Sequence, residues 1–114
     1  MNLAILHGNT GVTPEARFTP NGKKFIKFTL ATNRTYGKGD DAVTYTDWFN
    51  VECWRESVIN VLENHGFKGQ ELLIKGRFQT DKYEDNGVTK YYSKVVADSV
   101  DLLNWEDSAE EVEA

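Results

Sequence analysis

Cysteine occurs once in this 114-residue chain, at Cys53, so no disulfide can close within it and a cysteine-based metal site lacks ligands. A lone cysteine also makes a reducing cytosolic compartment the default expectation. Histidine is scarce: His7 and His65 are far apart, with no acid or nucleophile at a recognisable spacing, and they read as the ends of a strand and a helix. Phosphate-cradling Walker loops, glycine-rich dinucleotide turns and His/Glu metal motifs are all missing, which argues against an enzyme and against any cofactor or metal. No apolar run approaches the roughly 18 residues that a membrane-spanning helix needs. The opening Met1-Asn2-Leu3-Ala4-Ile5-Leu6 lacks the basic start of a secretory signal, so a cytoplasmic protein without a membrane partner is expected.

Positive charge is also in deficit, the net charge being −5. Its distribution matters more than its sum. Glu106, Asp107, Glu110, Glu111 and Glu113 lie within the last ten residues, which hold no base, so residues 1–104 carry 13 acids against 13 Lys and Arg. The body is neutral and can present a basic face. The expected organisation is one domain over 1–104 followed by a disordered acidic tail over 105–114. Such a tail can compete with a polyanion for a cationic groove, or merely solubilise the terminus.

What is present is a strand pattern. Leu3 to His7 is strand-like and ends in Gly8-Asn9-Thr10-Gly11. A short piece around Arg17-Phe18 meets the turn Thr19-Pro20-Asn21-Gly22, and Lys24 to Arg34 alternates Ile26, Phe28 and Leu30 against Lys27, Thr29 and Ala31. Gly37 to Asp41 reads as a flexible loop. From Thr44 to Trp54 one face carries Tyr45, Asp47, Phe49, Val51 and Cys53, and the other Thr46, Trp48, Asn50, Glu52 and Trp54. The second face mixes two tryptophans with polar groups and is predicted to face water. Arg55 to His65 reads as a short helix, with Val58, Ile59 and Leu62 at helical spacing and Gly66 capping its end. Strands follow over Glu71–Thr80 and Lys90–Leu103, with a hairpin turn at Asp85-Asn86-Gly87. This order predicts an all-β OB-fold: a five-stranded Greek-key barrel with one helix between strands 3 and 4.

Binding to unpaired nucleic acid is the chemistry that this composition suits, because flat aromatic faces stack bases while cations neutralise phosphates. The stacking candidates are Tyr36, Trp48, Trp54 and Tyr83, with Tyr36 and Tyr83 beside charged hairpins. The phosphate candidates are Arg17, Lys24, Arg34, Arg55, Lys75, Arg77 and Lys82, and Lys27 also lies on a polar face. Phe25, Phe28, Phe49 and Phe78 are assigned to the core, while Tyr45, Tyr91 and Tyr92 are left open. Two rival readings are an OB module whose main ligand is protein, and an RNA-binding domain of cold-shock type.

The chain resembles the bacterial-type single-stranded DNA-binding proteins, including those of phages and other mobile elements, over roughly residues 2–104. The resemblance rests on Ile5-Leu6-His7-Gly8-Asn9, Pro14 to Gly22, Phe28 to Arg34, Thr46 to Val51, Lys75 to Thr80, and Asp85-Asn86-Gly87 leading to Lys90-Tyr91. It implies an OB-fold without enzymatic activity that coats single-stranded DNA in replication, recombination and repair. It also implies base stacking on Tyr36, Trp48, Trp54 and Tyr83, a bacterial or host-cell cytoplasmic location, and a homotetramer, with a dimer as the alternative. Three departures stand out. Tyr36 and Tyr83 replace the tryptophans of many members, and Phe49 stands where a subunit-contact histidine is common, which leaves the assembly open. The acidic tail is short and lacks a Pro-Phe tip, which leaves recruitment of replication or repair proteins open.

Overall fold

In the computed structural model, which describes residues 1–103, Ile26, Phe28 and Leu30 point inward from one long strand and seed the core. That strand is β3 (Lys24–Tyr36), preceded by β1 (Ala4–Thr10) and β2 (Glu15–Phe18), and followed by β4 (Val43–Cys53). Helix α1 (Glu56–His65) comes next, then β5 (Glu71–Asp85) and β6 (Val88–Leu102). The sheet order is β1-β5-β6-β4-β3-β2, and the pairs Asn9↔Ala31 and Thr10↔Leu30 join β1 back to β3. Five strands therefore close a barrel, the OB topology that the segment order predicted. All the pairings are antiparallel except β4 with β6.

Three expectations are corrected. The short piece around Arg17-Phe18 is a strand of its own, β2, laid outside the ring against the first residues of β3. β3 and β4 pair as far as Tyr36↔Val43, and β5 and β6 as far as Asp85↔Val88, so both hairpins project as long two-stranded arms. Tyr36 and Tyr83, beyond the expected strand ends at Arg34 and Thr80, accordingly sit within paired strands. The second arm turns at Asn86 and Gly87 with φ of 54° and 80°, the left-handed backbone that an Asn-Gly pair accommodates best.

The core is built from alternate residues of the strands, with Val51 and Cys53 of β4, Leu72 and Ile74 of β5, and Val95 and Ala97 of β6 meeting Ile26, Phe28 and Leu30. Helix α1 buries Val58, Ile59 and Leu62, the stripe that 3.6-residue spacing places on one side. Gly66 closes the helix by donating its N–H to the Leu62 carbonyl at 2.8 Å, and its backbone stays extended. A Cβ there would lie 2.5 Å from that same oxygen, so close approach and not positive φ calls for glycine.

The core assignment of the phenylalanines is corrected for three of four. Phe28 is buried at 3% exposure, Phe25 and Phe49 are half-buried, and Phe78 is 45% exposed. Phe78 has inward parity, but β4 leaves β6 at Val51↔Val95, opposite Phe78's own partner Val95. Beyond that point no strand covers the inner side of the arm. No helix among the described residues is long and apolar enough to cross a membrane. The acidic tail expected over 105–114 lies outside the described residues.

Candidate nucleic-acid interface

Strand alternation puts Trp48, Asn50, Glu52 and Trp54 on the outward side of β4, beside the outward row of β3. The register sets Ala31 against Trp48, Thr29 against Asn50 and Lys27 against Glu52. Trp48 stands 60% exposed, with Cζ3 2.6 Å from where a Cβ of Gly11 would be. The six-membered edge of the indole thus reaches over a glycine of the loop after β1, into space that a side chain there would fill. Trp54 is half-buried, because Phe25 stacks on it with centroids 4.4 Å apart and planes 12° apart. Lys23 Nζ is 5.4 Å from the Trp54 ring centroid, and Lys27 Nζ is 4.8 Å from that of Tyr92. Flat rings and ammonium groups therefore share one sheet face.

Glu52 is the exception on that face. The polar side predicted to be wet buries Glu52 to 6% exposure as a whole residue and 8% for its side chain, which corrects its placement in water. Burial of a charge requires partners, and Glu52 has two: Oε1 accepts from Trp54 Nε1 at 3.0 Å and from Lys94 Nζ at 3.0 Å. Lys94 Nζ also meets Asp81 Oδ2 at 2.8 Å. Burial works against the Lys94 charge, but the hydrogen bonds to Asp81 and Glu52 outweigh it and hold the ammonium above the ordinary lysine value. The same contact holds the Asp81 carboxyl below its usual range, with Gln79 adding a second hydrogen bond.

Beyond the last β4–β6 pair the two strands diverge, leaving a groove of about 480 Å³. Trp48, Asn50, Phe78, Tyr91, Tyr92 and Lys94 are among its walls, and Asn50 Nδ2 donates across it to the Ser93 carbonyl at 3.3 Å. A groove with aromatic walls and a polar floor suits the unpaired base of a nucleic acid as well as the side chain of a partner.

Of the four stacking candidates, Trp48 and Trp54 share the outward face, and Tyr83 joins them through the alternation of Arg77, Gln79, Asp81 and Tyr83 on β5. Tyr36 does not. It belongs to the alternate row of β3 with Arg34, on the other side of the β3–β4 arm, where Tyr45 and Asp47 also lie. There Arg34 grips Asp47 through Nε at 2.7 Å and Nη2 at 3.2 Å, and its Nη1 donates to the Tyr36 hydroxyl at 3.2 Å. Its guanidinium lies 5.8 Å from the Tyr36 ring and 5.2 Å from the Tyr45 ring, and the two tyrosines meet edge to face at 6.0 Å. The hydrogen bond from Arg34 is the main cause that holds the Asp47 carboxyl below its usual range.

The phosphate candidates are scattered and several are already paired. Lys24 binds Glu63 at 2.7 Å, and Arg55 and Arg77 flank Asp98 at 3.8 and 3.6 Å. Arg17, Lys75 and Lys82 are exposed. Lys94 and Lys23 were not among the expected site residues, Tyr92 was left open, and Phe25 was assigned to the core although its alternation with Ile26 and Phe28 turns it outward beside Trp54. Lys94 could be found only by knowing which strands become neighbours.

The family model of the "Single-strand binding protein family" matches residues 1–103. A "Single-stranded DNA-binding protein" of Rickettsia felis is 40% identical over 102 residues, which is 84% of this chain and 65% of the relative. The chain thus spans less than two thirds of that relative's length. "Single-stranded DNA-binding protein 1" of Streptococcus pyogenes serotype M18 is 38% identical over 109 residues, covering 95% of this chain and 82% of the relative. Among solved structures, "Plasmodium falciparum SSB complex with ssDNA" superposes with a TM-score of 0.81 at 21% identity, over 91% of this chain and 96% of that one.

Proposed function

The chain belongs to the single-strand binding protein family, and on that premise we propose that it coats single-stranded DNA without catalysing a reaction. The observation that carries this reading is the exposed Trp48 ring, seated against Gly11 on an outward sheet face whose other rings, Trp54 and Tyr92, have lysines beside them. Each base has a π-face, so stacking on Trp48, Trp54 and Tyr83 tolerates any sequence, while Lys23, Lys27, Arg17, Lys75 and Lys82 supply positive charge for the phosphates. Tyr36, on the reverse of its arm, stacks a base only where the strand wraps around the hairpin. Arg34 and Lys24 reach phosphates only after leaving Asp47 and Glu63.

Such coating serves replication, recombination and repair in the cytoplasm or nucleoid, and replication or repair proteins are candidate partners. The chain also associates with itself, as a tetramer or a dimer, in this reading. Leu3, Ile5, Phe78 and Tyr91 supply the reason, being large apolar or aromatic side chains left between 45% and 67% exposed.

The test is quenching of tryptophan fluorescence by dT oligomers of increasing length, with duplex DNA and matched RNA as comparisons, and light scattering for the mass. Quenching by oligo(dT) with a log-log salt slope of about −0.7 per neutralised phosphate is expected. Equal response to duplex, a clear preference for RNA, or no response would overturn the reading.

A further inference from the structure

Lys94 is a lysine in an unusual position: its side chain is 10% exposed beneath the aromatic face, with carboxylates on two different strands as partners. Buried lysines are rare and are kept only when paired. Of its partners, Asp81 is 46% exposed and can be solvated by water alone, whereas Glu52 is 8% exposed and has little solvent to turn to. Glu52 Oε1 is also the acceptor of the Trp54 indole N–H at 3.0 Å. One oxygen atom thus carries both the lysine and the tryptophan.

We propose that Lys94 is a positioning residue for the proposed DNA face: by neutralising Glu52 in place it fixes the oxygen that orients the Trp54 ring. This rests on the reading of that face as the one that stacks bases. The chain of contacts runs through four strands. Asp81 on β5 holds Lys94 on β6, Lys94 holds Glu52 on β4, Glu52 holds Trp54, and Phe25 on β3 backs the ring at 4.4 Å. Without the ammonium, the Glu52 carboxylate swings toward water, the indole loses its acceptor and the ring its fixed plane. Lys94 therefore acts through Trp54, with no phosphate contact of its own. Its hydrogen-bonding capacity is largely taken, and the two carboxylates around it repel a phosphate.

The decisive variants are Lys94→Met, which keeps the aliphatic stem, and Lys94→Met combined with Glu52→Gln, which removes the buried charge but leaves an amide oxygen for the indole. With Trp48 and Trp105 replaced by Phe, Trp54 becomes the sole tryptophan, and its emission in the DNA-free protein reports its packing. Lys94→Met should shift that emission to the red and lower its anisotropy, and the added Glu52→Gln should restore both. With both other tryptophans retained, Lys94→Met should weaken binding of a labelled dT oligomer about fivefold or more, the lower end of what one lost base stack costs. The salt slope should stay unchanged, and Glu52→Gln should recover the affinity.

A salt slope shallower by about 0.7, with no recovery in the double variant, would make Lys94 a phosphate ligand and overturn the proposal. Unchanged Trp54 emission in Lys94→Met would overturn it too. If Lys94→Met fails to fold, Glu52→Leu decides: it keeps Lys94 paired with Asp81 and removes the acceptor, so Trp54 must loosen in the same way. The emission measurements need no DNA, so they stand even if the protein binds none.

Discussion

The indole of Trp48 occupies the space that a side chain at Gly11 would fill, with Cζ3 2.6 Å from the site of the absent Cβ. Thr29 Oγ1 is equally near, and the Gly11 N–H is tied to the Thr29 carbonyl at 2.9 Å, so the loop cannot yield and the movable partner is the ring. Gly11→Val should therefore lift Trp48 from its seat and weaken single-strand binding almost as much as Trp48→Ala does. That loss is about 1–3 kcal/mol, or roughly 5- to 150-fold in Kd. The two substitutions act on one contact, so combining them should add little beyond either alone. Titration of a dT oligomer with all three variants checks this, and full additivity would show that the glycine matters for some other reason.

Arg34 and Asp47 form a two-pronged bridge across the β3–β4 arm, and Asp47 titrates below its ordinary value of 3.8 because of it. A carboxyl whose folded pKa is depressed adds stability above that ordinary value, and the contribution disappears as pH falls through the folded pKa. Asp47→Asn should accordingly lower Tm slightly across neutral pH, the pair being half exposed. The gap between wild type and variant should close in strong acid. Melting curves at stepwise lower pH test the sign: a gap that widens in acid would contradict it.

Parity within a strand was legible, and what lies across from it was not. The alternation in Thr44–Trp54 was enough to turn Trp48 and Trp54 outward, and helical spacing was enough to bury Val58, Ile59 and Leu62. Phe78 shows the limit. Its inward parity is real, but whether a strand covers that side depends on where β4 and β6 part, which no local pattern records. Glu52 failed for a related reason, since a glutamate on an outward row looks solvated until Lys94, from a distant strand, is found beside it. Tyr36 was within reach: counting on from Ile26, Phe28 and Leu30 puts it on the row opposite to that of Trp48, but ending the strand at Arg34 stopped the count.

Phe28 and Phe78 should respond differently to the same truncation. Phe28→Ala empties a core site and should lower stability by about 3–5 kcal/mol, the range for a buried phenylalanine. For a domain of about 100 residues each kcal/mol lowers Tm by roughly 4–8 °C. Phe78→Ala should cost far less in the dissociated chain, since its ring is 45% exposed there. If copies associate through this side, the penalty should grow with protein concentration, because association stabilises the folded form by mass action. Melting both variants over a hundredfold concentration range separates the cases. A Phe78→Ala penalty independent of concentration would remove this ring from the proposed contact.

Cys53 lies in the barrel interior between Ile26 and Ala97, and burial, with the nearby Glu52 charge adding to it, pushes its thiol up to about 12. Only the thiolate attacks a disulfide reagent, so at pH 8 the folded protein should react with Ellman's reagent at the rate at which it opens, far below that of a small thiol. In denaturant the same residue should react at once. The proton balance fixes the sign of the pH effect. The unfolded chain releases the thiol proton near the ordinary value of 9 while the folded chain holds it to about 12, so stability falls as pH rises through that interval. Cys53→Val removes the titration while filling similar space, and its stability should hold up better than that of the wild type between pH 9 and 11. Rapid labelling of the native protein at pH 8 would mean that the barrel admits solvent beside β4, and the closed core derived from the strand register would be wrong at that point.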